Sequence, residues 1–183
     1  METISNQTFL QALFGDDWTD VHVCAVPGNP SKSKGHWFGG PAKVQLPFCL
    51  PSTNNYYAVS LFDHTLEPRR VEKYFRALHV LGIDDVGTGG KVKASMVLEI
   101  LGEPDYRIET SPNNEQWGYK LDPAYGSGDG AKALIHAVRV RLTGDMGKDP
   151  GMEGICRYLR LPEGINGKPG AGGWKVALRH WGF

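Results

Sequence analysis

The chain has no surplus of charge of either sign, with 20 lysines and arginines against 20 aspartates and glutamates over 183 residues. That balance excludes the global positive field of a protein that binds nucleic acid by electrostatics alone, so any nucleic-acid surface must be local. Cysteine is scarce. Cys24, Cys49 and Cys156 lie far apart with no Cys-x-x-Cys spacing, which argues against a disulfide framework and a zinc ribbon and for a reducing interior. No apolar run approaches the roughly 18 residues that cross a bilayer, and the opening Met1-Glu-Thr-Ile-Ser-Asn has no basic stretch ahead of an apolar one. The expected compartment is the cytoplasm. Neither Gly-x-Gly-x-x-Gly nor Gly-Lys-Ser/Thr occurs, so a Rossmann dinucleotide site and a P-loop are disfavoured, and no internal repeat is found.

What is abundant is glycine, 24 residues, joined by 12 prolines, both placed between periodic segments rather than in one low-complexity tract. This is the pattern of a loop-rich globular domain, and the length suits a single domain, residues 1–183, with one sizeable core. Phe9, Leu10 and Leu13 recur at helical spacing and predict a helix over 6–14. Alternation predicts strands over 21–26 and 56–62, separated by a long basic loop that carries Lys32, Lys34 and His36. Val71, Tyr74, Phe75 and Leu78 predict a helix over 69–78, followed by an apolar strand, 79–83, that delivers Asp84-Asp85 at its end. Further helices are expected over 91–101 and 131–142, and a hairpin from strands 106–110 and 117–121. Strands alternating with helices, plus a hairpin, indicate an α+β fold with a mixed or antiparallel sheet and packed helices.

Asp84 and Asp85 open the chemistry. Adjacent strand residues point to opposite faces, so both carboxylates reach one metal site only if the strand ends there, which Val86-Gly87-Thr88-Gly89-Gly90 supplies. Two carboxylates with a third acid hold Mg²⁺ or Mn²⁺ for displacement at a phosphoryl group. Asp145 and Asp149 are the candidates for the third. The competing reading of Asp-Asp before glycines is turn chemistry or a helix cap. Ser111, Asn113, Asn114 and Gln116 form a polar run able to bond phosphate or sugar oxygens, or an ordinary hairpin turn. Arg157 and Arg160 would meet one phosphate chain only on a helical turn; on a strand one of them is structural. Asn166 and Lys168 follow in a second polar loop, where Lys168 meets phosphate or template, or is simply solvated. His22, Cys24, His36 and Cys49 match no structural-zinc spacing. Trp37 beside Lys32 and Lys34 suits single-stranded nucleic acid, where bases stack on aromatic rings.

In order, several segments resemble the RepB-type primases of phage and plasmid replication, within the archaeo-eukaryotic primase superfamily. They are His22-Val-Cys, Asn54-Asn-Tyr-Tyr-Ala-Val-Ser-Leu-Phe, Leu81-Gly-Ile-Asp-Asp-Val-Gly, Ile108-Glu-Thr-Ser-Pro-Asn-Asn-Glu-Gln-Trp-Gly-Tyr, Asp149-Pro-Gly-Met and Arg157-Tyr-Leu-Arg-Leu-Pro-Glu-Gly-Ile-Asn-Gly-Lys. The resemblance implies template-directed primer synthesis on single-stranded DNA from nucleoside triphosphates, in a bacterial host's cytoplasm. It implies Asp84, Asp85 and Asp149 as catalytic ligands of Mg²⁺ or Mn²⁺. Ser111, Asn114, Gln116, Arg157, Arg160, Asn166 and Lys168 would then contact the incoming nucleotide. Relatives of this kind often precede a replicative helicase in a longer polypeptide, which makes a helicase an expected partner. The chain departs from the family at Asn113 or Asn114, where glycine is common. A non-catalytic initiator domain that binds origin or single-stranded DNA is the competing class of function.

Overall fold

The computed structural model describes residues 4–33, 37, 39–65, 67, 69–143 and 154–183. Lys34, His36, Asp145 and Asp149 lie outside them. No helix among the described residues is long and apolar enough to cross a membrane.

The first helix, α1 (Asn6–Phe14), has the expected bounds: Ser5 accepts from the Thr8 N–H as an N-cap, and Phe9, Leu10, Leu13 and Phe14 are buried. Such a cap contributes ~1 kcal/mol, and each buried large apolar side chain ~2 kcal/mol. Two strands follow, β1 (His22–Val26) and β2 (Gly39–Pro41), with a short α2 (Ala42–Gln45) after them. The strand expected over 56–62 is two, β3 (Asn54–Ala58) and β4 (Ser60–Phe62), because Val59 hands the chain between sheets. Its N–H donates to Arg157 O at 3.1 Å, and its carbonyl accepts from His79 and Val80 at 3.0 and 3.1 Å.

The helix expected over 69–78 does not form. Only Glu72–Tyr74 makes a 3₁₀ turn, and from Phe75 the chain runs as a 12-residue strand, β5 (Phe75–Val86). The helical spacing of Val71, Tyr74, Phe75 and Leu78 spans too few residues to prevail over pairing on both edges: β4 flanks β5 on one side and β7 (Asn114–Tyr125) on the other. Context decides strand formation more than propensity does. Between them in sequence come α3 (Ala94–Leu101) and β6 (Tyr106–Ser111); after β7 come α4 (Gly128–Thr143), β8 (Tyr158–Arg160), β9 (Ile165–Asn166), β10 (Trp174–Lys175) and β11 (Ala177–Trp181).

Among the described residues the strands form a four-stranded sheet, β2-β1-β3-β8, a five-stranded sheet, β11-β6-β7-β5-β4, and a β9/β10 hairpin, every pair antiparallel. This is the α+β class with antiparallel sheets. The sheets meet at Gly82, where an added Cβ would collide with Leu159 Cδ1. Glycine here leaves room for the Leu159 side chain of β8 against β5, which brings Arg160 close to the strand carrying Asp84. Reciprocal bonds then tie α1 to the segment after β8: the Asn6 N–H donates to Glu163 Oε2 at 2.9 Å, and the Glu163 N–H to Asn6 Oδ1 at 3.0 Å.

Candidate active site

The acid pair sits in a β-bulge. Ile83 pairs with Trp117 and Val86 with Glu115, so Asp84 and Asp85 together stand opposite the single residue Gln116. A bulge of this kind re-aims side chains that would otherwise alternate. Asp85 has φ 56°, a left-handed conformation that aspartate tolerates better than most residues. The strand thus need not end for both carboxylates to serve one cavity; it is bent. The glycine run behind it closes the bend, with the Val92 N–H donating to Asp85 O at 2.9 Å and the Gly89 N–H to Asn113 O at 2.9 Å.

That contact locks the polar hairpin beside the acids. Ser111 pairs with Asn114, leaving Pro112-Asn113 as a two-residue turn in which Asn113 has φ 58°. Proline first and a left-handed second corner are what a type II turn requires, and asparagine here does the work of the glycine common in the resembling family. Asn113→Gly is therefore expected to leave stability within ~0.5 kcal/mol, whereas Asn113→Val lowers it by about 1–2 kcal/mol through left-handed backbone strain. Urea unfolding of the two variants tests this; equal midpoints would refute it.

One cavity of about 510 Å³ gathers Asp84, Asp85, Ser111, Asn114, Gln116, Arg160, Asn166 and Lys168. Eight positions singled out in the sequence thus meet at one place, drawn from β5, the β6/β7 hairpin, β8, β9 and the loop after β9. Asn114 Nδ2 donates to Asp85 Oδ1 and Lys91 Nζ pairs with Asp85 Oδ2, each at 3.0 Å. Burial alone would raise the Asp85 pKa, but these two hydrogen bonds together with the positive charges of Lys91 and Lys168 outweigh it and hold the carboxyl below its usual value. Asp84 Oδ2 pairs with Arg157 at 3.0 Å, and Asp84 Oδ1 accepts from the Asp85 N–H at 2.9 Å. Arg157 therefore enters through Asp84 rather than as a wall of the cavity.

Arg160 is 3 % exposed. Its guanidinium donates to Ile165 O at 2.7 Å and Asn166 Oδ1 at 2.8 Å, while its N–H donates to Gln116 Oε1 at 2.8 Å. Asn166 in turn donates to Thr110 O at 2.8 Å. Arg160 is thus the tie between the hairpin and the Lys168 loop. Thr110, at the start of the polar run, lines the cavity as well, while Lys91 and the Pro169–Ala171 segment line it without having been anticipated. The one sequence signal for Lys91 was its place directly after Gly87–Gly90. Lys32 and Trp37 stand outside this cavity, and Trp37 lines another.

Among the described residues no cluster of three or more histidines, cysteines, aspartates or glutamates is placed to hold a metal ion. The acid pair nonetheless offers hard oxygen donors, and Mg²⁺ is commonly held by one or two carboxylates plus water and substrate phosphate. The donor chemistry fits such an ion.

Toward the other edge of the four-stranded sheet, on β1, His22 is 4 % exposed, and burial, with the neighbouring charges of His64 and Arg70, lowers its pKa from 6.5 to about 3. It is neutral when folded and protonates when unfolded below pH 6.5. The stability it confers is therefore complete above pH 6.5 and falls on acidification toward pH 3, by about 3 kcal/mol at pH 4.5. Denaturant melts at pH 7 and 4.5 should show this loss in wild type and much less in His22→Gln; parallel losses would refute it.

This arrangement has the fold of the archaeo-eukaryotic primase catalytic domain. The solved structures that match are the archaeo-eukaryotic primase domain of the primase-polymerase of cyanophage S-2L and the primase RepB'. The first is 14 % identical with a TM-score of 0.61, covering 94 % of this chain and 87 % of that one. The RepB' catalytic domain, solved in complex with initiator DNA, is 18 % identical with a TM-score of 0.61, covering 97 % and 82 %. A longer RepB' chain matches at 18 % identity and a TM-score of 0.61, with 98 % of this chain spanning 56 % of it. No protein-family model matches the chain, and no curated protein matches it in sequence.

Proposed function

We propose that the protein is a nucleotidyltransferase of the primase or primase-polymerase type, making primers on a single-stranded DNA template from nucleoside triphosphates. The observation that carries this reading is the bulge that turns two adjacent carboxylates into the same cavity as Ser111, Asn114, Arg160 and Lys168. Acid donors beside a cluster of polar and cationic groups match the needs of a metal-bound triphosphate.

Asp84 and Asp85 would hold Mg²⁺ or Mn²⁺, with Asp149 the third acid that the family resemblance implies. When bound, the ion neutralises phosphate charge and lowers the pKa of a primer 3′ hydroxyl. The protein's own groups do the positioning. Lys168 and the hydroxyl of Ser111 offer donors to triphosphate oxygens, and the N–H groups that Arg160 leaves uncommitted add charge where pyrophosphate departs. Asn114, through Asp85 Oδ1, keeps that carboxylate oriented. No side chain need act as nucleophile.

Labelled nucleoside triphosphates and single-stranded DNA, incubated with the full chain and Mn²⁺ or Mg²⁺, should give short oligomers, and none in chelator. One observation favours a second reading, a non-catalytic initiator domain: Arg157 and Lys91 already neutralise the two acids, as structural ion pairs would. Binding of DNA in chelator with no product under any metal condition would move the assignment to that reading.

A further inference from the structure

The face of the four-stranded sheet that carries Cys24 and Tyr56 is aromatic and basic and largely buried, with Cys24, Val26 and Tyr56 in a small cluster on which Trp37 and Tyr158 pack. Cys24 pairs with Tyr56, and β8 places Tyr158 and Arg160 opposite Ala58 and Tyr56, so these side chains share one face while Tyr57 and Leu159 enter the core. Trp37 covers Tyr56 with ring centroids 4.6 Å apart and stacks near Tyr158 at 6.0 Å and 23°. The Arg70 guanidinium lies 3.8 Å from the centre of the Tyr158 ring. Here a cavity of about 260 Å³ opens, walled by His22, Trp37, Gly39, Arg69, Arg70 and Tyr158, and it shares no lining residue with the acid-pair cavity.

Two features show that this cavity is built rather than incidental. Gly39 forms its floor, since an added Cβ would stand 2.6 Å from Val23 O, 2.8 Å from His22 Nε2 and 2.9 Å from the Tyr158 hydroxyl. His22 Nδ1 and Arg70 Nε are buried with no hydrogen-bond partner among the described residues. Unpaired buried polar atoms of this kind are costly unless a ligand satisfies them. Arg69 pairs with Glu67 at 3.1 Å in an exposed contact, the kind that contributes little and yields to a phosphate. The ligand chemistry is therefore a flat ring with an anion attached.

We propose that this cavity is a nucleotide subsite separate from the catalytic one, in which Trp37 stacks one unpaired base of a DNA strand while Arg69 and Arg70 hold its phosphate. Tyr56 joins the two places, contacting Trp37 on one side and the Arg160 guanidinium, 4.8 Å from its ring centre, on the other. A strand leaving the acid-pair cavity along this face crosses the subsite. The naming of DNA rests on the function proposed above; the ring-and-anion chemistry of the cavity does not.

The test is binding of a fluorescent oligothymidylate to the full chain in chelator, where no synthesis occurs. Trp37→Ala should weaken binding about tenfold, the loss of one stacked base, and Trp37→Phe much less. Arg69→Gln should reduce the slope of log affinity against log salt by ~0.7, one single-strand phosphate contact. Wild-type affinity in both Trp37→Ala and Arg69→Gln, with thermal midpoints unchanged, would overturn the subsite even if primers are made. Weakened binding in a protein that never makes primers would keep the subsite and remove the catalytic assignment instead. Displacement of the oligonucleotide by free thymidine triphosphate at similar concentration, lost in Trp37→Ala, would overturn the strand as occupant.

Discussion

Asp85→Asn is expected to lower primer synthesis by at least ~100-fold while leaving the thermal midpoint within a few degrees. The substitution keeps shape and most hydrogen bonding but removes the charge that would hold a divalent ion, and charge stabilisation by such an ion is worth several kcal/mol, each 1.36 kcal/mol being tenfold in rate. Its partner Lys91 is a mostly solvated side chain, 62 % exposed, so losing that pair costs little stability. Asp84→Asn should lose as much activity but also destabilise, because Arg157 is only 10 % exposed and would be left charged without its carboxylate. Initial rates on a single-stranded template, with thermal melts alongside, separate the two. A fully active Asp85→Asn would sink the metal assignment.

Arg160→Met is expected to cost about 3 kcal/mol of stability, a fall of roughly 10 °C in Tm for a chain of this size. Methionine fills a similar volume, so the loss isolates the guanidinium, whose removal takes the side-chain donor from Ile165 O and leaves Asn166 Oδ1 with only the longer bond from the Lys168 N–H. Arg160→Lys keeps the charge but not the fork that spans both acceptors. It should recover part of the stability and still raise KM for nucleotide, because Lys168 depends on Asn166, to whose Oδ1 its N–H donates at 3.2 Å. Calorimetry of both variants, with KM and kcat measured separately for the lysine, checks this. An unchanged melting point in Arg160→Met would show that the arginine is not the tie described.

The sequence made the acid pair, the polar hairpin and the Arg160–Lys168 segment visible because each is a short run of unusual residue types. Their convergence was legible only through their order along the chain. What could not be read was how two neighbouring strand residues face one cavity: the bulge depends on pairing with Gln116, a residue 31 positions after Asp85, and on a left-handed φ that composition does not signal. The helix expected over 69–78 failed for a related reason, since its apolar spacing fits a helix locally while both edges of β5 are claimed by distant strands. Arg157 and Arg160 behaved as their strand spacing implies, each bonding a different partner. Of Asn113 and Asn114, one of which was expected to stand where glycine is common, Asn113 has the left-handed backbone conformation that glycine would supply. Asp149, Asp145 and Lys34 fall outside the described residues.

Val59 has a consequence for how the molecule opens. Its amide is committed to the segment entering one sheet and its carbonyl to a strand of the other, so neither sheet can detach without stripping the first hydrogen bonds of its neighbour. Native-state hydrogen exchange should therefore find the amides of β3 and β5 released in a single cooperative unit rather than as two foldons of different free energy. The carboxylates on one sheet and the arginine on the other would then share one opening equilibrium, and denaturant should abolish both halves of the site at one midpoint.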